Sequence, residues 1–259
     1  MAVAAHPDDI EFMMSGTMIL LGQASCELHY MNIANGSCGS VEVKADEIVK
    51  VRTEEARKAA SLIGAVFHDP LVDDITILYD DRLIRKVCAI MRQVKPRILL
   101  LPSPQDYMED HINASRVTVT AAFCRNMPNY LTDPPEPHIE SEMAVYHALP
   151  YGLRDQLGNR IMPSVFVDIE SAMSLKKQML SCHTSQKQWL DKSQGIGSYI
   201  KTMQEMSAEV GRMSGRYKYA EGWRQHLHLG FGRKGFDPLG DVLAKYTSRA
   251  KGGKRWDDH

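Results

Sequence analysis

Short apolar runs alternate along the chain with stretches in which apolar side chains recur every three or four positions. The runs near Val3–Ala5, Glu27–Ile33, Ala65–Phe67, Arg97–Leu101, Met143–His147 and Ser164–Asp168 are of strand length and bounded by turn residues. Helical spacing fills the gaps between them: Ile10–Gly22, Asp46–Leu62 ending at Gly64, Arg82–Val94 and Asn113–Asn126. Strand and helix in regular alternation predict βαβ units, hence an α/β, Rossmann-like fold with a mostly parallel sheet flanked by helices. The alternation breaks at residues 126–137, NMPNYLTDPPEP, whose prolines disfavour both helix and central strand and mark a surface loop. Beyond Glu170 the spacing predicts two helices, Ala172–Leu190 and Gly197–Met213. An aromatic- and glycine-rich tail, GRYKYAEGWRQHLHLGFG, follows, and the basic KGGKRW stretch is expected to fray. The whole is read as one domain over residues 1–259, with a core at 1–186 and a C-terminal helical extension and tail at 187–259.

Composition narrows the partners. A chain of 259 residues that is 44% hydrophobic can fill a sizeable core. Its 31 basic and 32 acidic side chains nearly cancel, so no global field favours nucleic acid or an anionic membrane, and a small-molecule partner is expected. Five cysteines without CxxC spacing read as free thiols in a reducing compartment. There is neither an 18-residue apolar run nor a signal-peptide pattern, so the expected location is cytoplasmic. The first strand lies so near Met1 that a natural N-terminal extension, with an export signal in it, is compatible with the sequence.

The chemistry concentrates at residues 4–12, AAHPDDIEF. In an open parallel sheet, ligands bind beyond the carboxyl ends of the strands, which is where His6, Asp8, Asp9 and Glu11 fall. An imidazole and a carboxylate three residues apart on one tight turn can reach one cation. Helix capping accounts for one aspartate, but not for the histidine or the second aspartate. A third ligand comes from SPQDYMEDHINASR at 103–116, between a strand and a helix on the same edge. His111 there completes a set with His6 and Asp9 and leaves a fourth position open. Asp8, not needed as a ligand, is then free to act as a general base. Two histidines and a carboxylate suit Zn²⁺, and also iron, manganese or cobalt.

Ala5-His6-Pro7-Asp8-Asp9-Ile10-Glu11 resembles the AHPDD-x-E hallmark of the PIG-L/LmbE family of zinc-dependent N-deacetylases. The resemblance continues through ANGSCG at 34–39, RTEEARKAASLIG at 52–64, DH at 110–111 and HTSQ at 183–186. It implies a zinc enzyme that removes an acetyl group from an N-acetylated, sugar-like small molecule. His6, Asp9 and His111 would be the metal ligands, Asp8 the general base, and Arg52 and Asp73 substrate-facing groups. One position departs from the pattern. The family has a histidine three residues before the metal histidine, where this chain has Met108, which can neither polarise a carbonyl nor protonate an amine. Asp110, which orients that histidine in the family, would lack its usual partner. The replacement candidates are Tyr107, His183, and the pair His226 and His228, which would share one face of a strand within this chain or reach a neighbouring subunit.

Plainer readings stand beside these. Met13, Met14 and Met18 pack a core; Arg52 with Glu54 and Glu55 forms an exposed helix pair; NGSCG is a turn or a backbone approach to ligand. The five aspartates between Asp69 and Asp81 line a solvated loop, and His29 and His147 pack within strands. Two rivals to a deacetylase remain at this stage. One is a metal-binding protein of the same fold that has lost catalysis, for which Met108 speaks. The other is a nucleotide-binding module, disfavoured because no GxGxxG follows the first strand. The apolar tail YAEGWRQHLHLGFG further predicts a homo-oligomer.

Overall fold

A computed structural model describes residues 1–186 and 198–250. Among them, eight strands form one sheet: β1 (Ala2–Ala4), β2 (His29–Asn32), β3 (Val66–His68), β4 (Ile98–Leu101), β5 (Ala144–Ala148), β6 (Val165–Asp168), β7 (Ala220–Gln225) and β8 (Thr247–Arg249). Their order across the sheet is β3-β2-β1-β4-β5-β7-β6-β8. The first five are parallel, with Val3 opposite Met31 and Leu100 opposite Tyr146; β7 is antiparallel to both β5 and β6, and β8 to β6. Helices α1 (Asp9–Met13), α2 (Ser15–Gln23), α3 (Ala45–Ser61), α4 (Asp81–Val94), α5 (Glu109–Cys124), α6 (Met173–Leu180) and α7 (Ser198–Ser214) flank it. The central strands are buried on both faces. Ala2, Tyr30 and Tyr146 pack with Met18, Leu20 and Trp223 on one side, and Val3, Met31 and Leu99 pack with Val87, Met91 and Val117 on the other.

Two departures from the sequence pattern have identifiable causes. The predicted helix Ile10–Gly22 is broken at Met14, whose φ of −135° is not helical. Glu221 of β7 accepts hydrogen bonds from the backbone N–H groups of Gly16 (2.8 Å) and Thr17 (2.7 Å), so a second helix starts there. Gly16 is obligatory at this contact, since a Cβ would stand 2.7 Å from Ile169 Cγ2 and 2.9 Å from Glu221 Oε1. The second departure is the region beyond 186, expected to be helical with a trailing tail. It contributes β7 inside the sheet, where Trp223 is fully buried and donates to Thr17 Oγ1 at 3.0 Å, and β8 at the edge. The predicted helix Ala172–Leu190 stops at Leu180; its last residues and the KGGKRW end lie outside the described residues.

Candidate active site

The strand order reverses at β1, with β2 on one side and β4 on the other, so a crevice opens beyond their carboxyl ends. The turn from β1 to α1 fills one wall of it. Asp8 takes a left-handed conformation (φ 109°), which a non-glycine residue holds only when its surroundings fix it. Here they do. The N–H of His6 donates to Asp9 Oδ2 at 2.8 Å, Asn32 Nδ2 donates to the His6 carbonyl at 2.6 Å, and Arg52 Nη2 donates to the Pro7 carbonyl at 2.5 Å. The other wall is the start of α5, which follows β4 and carries Asp110 and His111.

His6, Asp9 and His111 converge, with one donor atom of each lying within 4.8 Å of the others. Asp9 faces His6 Nδ1 at 3.6 Å through Oδ2 and His111 Nε2 at 3.3 Å through Oδ1. The remaining ring nitrogens are pinned from behind. His6 Nε2 meets Asp110 Oδ2 at 2.9 Å, and His111 Nδ1 meets Asp106 Oδ1 at 3.1 Å. A carboxylate behind each imidazole fixes ring orientation and tautomer and raises ligand basicity, as divalent transition metals require. Burial alone would lower the His6 pKa, but its hydrogen bonds to Asp110 and Asp9 outweigh that and lift it to about 9. His111 is raised against its burial by Asp9 and Asp106, and Asp9 is held well below the carboxylate range by the two imidazoles. Without metal, protons neutralise this anionic cluster; a divalent ion suits the same donors. Asp110 is therefore not left without a partner. It holds His6 and also accepts from the N–H of Ile75 at 2.7 Å, which corrects its reading as a catalytic group.

A cavity of about 400 Å³ opens over the cluster. Asp8 borders it, and both of its partners use the same oxygen: Tyr199 Oη donates to Oδ2 at 2.8 Å, and Arg52 Nη2 lies 3.5 Å from it. Oδ1 carries neither. Burial raises the Asp8 pKa, with Arg52 opposing and Asp9 assisting. Arg52 is buried rather than part of an exposed helix pair, and it threads between Gly36 and Gly39, where any Cβ would collide with its guanidinium. That collision explains the glycines of NGSCG, which bring Cys38 and Gly39 to the cavity.

Several sequence expectations are redrawn by this geometry. Asp73 is exposed and takes the side-chain amide of Asn35; its neighbour Asp74 borders the cavity and holds the N–H groups of Gly36 (2.7 Å) and Cys38 (2.9 Å). His183 is fully buried, 3.3 Å from Glu11 Oε2, and does not reach the cavity as a substrate-binding group would. His226 and His228 line a different cavity near β6 and β8, and His226 Nδ1 meets His147 Nε2 at 2.9 Å. Neither lines the cavity over the His6, Asp9 and His111 cluster, so within one chain the described geometry does not bring them in as its catalytic groups. Tyr107, Met108, Met13 and Met14 do line the site. Sequence reasoning missed Asp74, Asp106, Gln186 and Tyr199; Asp106, in the loop just before the helix that carries His111, was the one with a local signal.

Fold and site together define a Rossmann-like α/β chain with a two-histidine, one-aspartate centre at the switch point of its sheet. Residues 1–122 match the family described as PIG-L: GlcNAc-PI de-N-acetylase. The diacetylchitobiose deacetylase of Thermococcus kodakarensis is 26% identical over 234 residues, 86% of this chain and 81% of that protein. Among solved structures, the N,N'-diacetylchitobiose deacetylase of Pyrococcus horikoshii superposes with a TM-score of 0.72 at 22% identity, over 92% of this chain and 87% of that one. The 4-carboxy-2-hydroxymuconate hydratase GalB of Pseudomonas putida KT2440 follows at 0.70 and 22%, over 87% and 95%. The PIG-L/LmbE resemblance carried by AHPDDIE is thereby borne out.

Proposed function

We propose that this protein is a metal-dependent N-deacetylase that hydrolyses the acetamide of an N-acetylated amino sugar or a related small molecule, with Zn²⁺ as the metal. The reading rests on one observation: three converging candidate metal donors share a cavity with a carboxylate, Asp8, whose side-chain partners among the described residues both hold one oxygen and leave the other to the cavity. The deacetylase relatives support it; the hydratase on the same fold makes the reaction a matter for the site rather than the fold. A divalent ion held by His6, Asp9 and His111 would supply Lewis acidity toward the amide carbonyl.

The chain's own groups do the rest. Asp8 Oδ1 takes the proton of the attacking water, while Tyr199 and Arg52 hold Oδ2 and fix the carboxylate plane. Its raised pKa suits a group that accepts a proton and then returns it, so Asp8 can also protonate the departing amine. That return makes a histidine at 108 dispensable. Arg52, Asp74 and Gln186 border the cavity on the side where sugar hydroxyls would be met. Two further readings accompany this one. Leu227 and Leu229 are exposed in the tail, which supports self-association. Asp73 holds the Asn35 amide outside the cavity, so a part for it in substrate binding would be indirect.

The test is metal content and amine release measured together. Purified protein should hold one divalent ion per chain and release free amine from N-acetylglucosamine derivatives, and His111→Ala should lose both. Full metal retention by that variant after dialysis against a mild chelator would defeat the ligand set.

A further inference from the structure

The lining of the site is mixed in chemistry. Arg52, Asp74, Gln186 and Gly39 border the cavity. Aromatic rings, three of them tyrosines, line it as well and run in an unbroken arc. The Tyr107 ring lies 5.9 Å from that of His111, Tyr151 6.1 Å from Tyr107, Phe12 5.6 Å from Tyr151, and Tyr199 5.0 Å from Phe12, ending at Asp8 through its hydroxyl. Leu149 and Met108 also line this cavity. Met108 stands where a histidine would have made the wall polar.

Building on the deacylation reading above, we propose that the apolar surface of Phe12, Leu149 and Met108, with the faces of the tyrosine rings, is an acyl-chain pocket and that the preferred substrates carry N-acyl groups longer than acetyl, of about four to six carbons. An amide seated on the metal cluster must send its two substituents in different directions. A polyhydroxylated amine half finds charged and amide partners in Arg52, Asp74 and Gln186, while Phe12, Leu149 and Met108 offer apolar surface that only the acyl half can use. An acetyl group would set a single methyl against Phe12, Leu149, Met108 and Tyr151, leaving much of this wall against water. A longer chain covers it at about fourfold per methylene, the equivalent of about 0.8 kcal/mol for each buried CH₂. Hydrolysis stays balanced whatever the chain length: water adds to the carbonyl carbon, the C–N bond breaks, its electron pair and a proton leave with the amine, and the acyl group departs as a carboxylate.

The experiment compares N-acetyl-, N-butyryl- and N-hexanoylglucosamine in two ways: kcat/KM with the metal-loaded protein, and Kd by calorimetry with Asp8→Asn, which binds without turnover. Both should improve about fourfold per methylene up to the filling of the pocket, and Leu149→Trp should cut the hexanoyl-to-acetyl ratio at least tenfold. If acetyl is hydrolysed and longer chains are equal or worse, the acyl pocket is wrong while the deacylase stands. If Kd tightens with chain length but nothing is hydrolysed, the pocket stands and the proposed activity falls. A ratio that Leu149→Trp leaves unchanged also overturns the pocket.

Discussion

The two short helices that follow the His6–Asp9 turn rest on a buried ion pair, and breaking that pair tests how the site is supported. Lys176 is completely buried, donating to the Phe12 carbonyl at 2.9 Å and to Glu221 Oε1. Glu221, also buried, caps α2 through Gly16 and Thr17, since Met14 at the N-cap position offers no side-chain bond. Lys176→Met keeps the alkyl volume but leaves a buried carboxylate without its cation. Removing one partner of a buried pair costs about 3–5 kcal/mol. Two backbone N–H groups and the helix N-terminus still hold the anion, and they offset about 1–2 kcal/mol of this. The expected loss is thus about 2–4 kcal/mol. Glu221→Gln strands the ammonium instead and weakens the cap, so about 3–5 kcal/mol is expected. The double variant should cost at least about 1 kcal/mol less than the sum of the singles, because neither charge is then orphaned. Denaturant unfolding at fixed metal content measures all three. A Lys176→Met loss below about 1 kcal/mol, or strict additivity, would refute the role assigned to the pair.

Other expectations follow from the same contacts. Tyr199→Phe removes one tether from Asp8 and should lower kcat about tenfold with KM within about twofold, the scale of one hydrogen bond to a charged group; unchanged kcat in steady-state assays would remove Tyr199 from the mechanism. Because the metal must displace a proton from His6, whose pKa is about 9 in the metal-free protein, apparent metal affinity should rise at least about tenfold between pH 6 and pH 8 in a competition titration. The sign for stability is the reverse: His6 contributes to the metal-free fold fully below its unfolded value of about 6.5 and loses that contribution as pH climbs through about 9. A pH-independent affinity would contradict both. His226→Gln and His228→Gln, which line a separate cavity, should keep turnover within about threefold; a loss beyond about tenfold at equal metal content would return them to the reaction through a second copy of the chain.

The convergence of His6, Asp9 and His111 was legible because these residues lie within a few positions of strand ends, where local sequence fixes the edge of the sheet on which a side chain falls. His6 follows β1, and His111 opens the helix after β4, so alternation of strand and helix sufficed to bring them together. Asp110 was misread because its partner, His6, is 104 residues away and only the reversal of strand order at β1 reveals the contact. Tyr199 and Glu221 act on residues 191 and more than 200 positions earlier, from a helix and a strand whose local patterns announce packing and nothing else. The choice between Asp73 and Asp74 turned on the direction of one side chain in a loop, which no periodicity encodes. His226 and His228 failed as a strand pair because β7 ends at Gln225, just before them.

The central claim, that Asp8 drives amide hydrolysis beside a metal held by His6, Asp9 and His111, is tested most directly by free-amine release from an N-acylated glucosamine. The assay compares the unmodified protein with Asp8→Asn at matched metal content. Equal amounts of amine and carboxylate are expected from the former, and a rate at least about a hundredfold lower from the latter, the scale of a lost general base. Equal rates in the two proteins, or no amine from the metal-loaded unmodified chain, would contradict it.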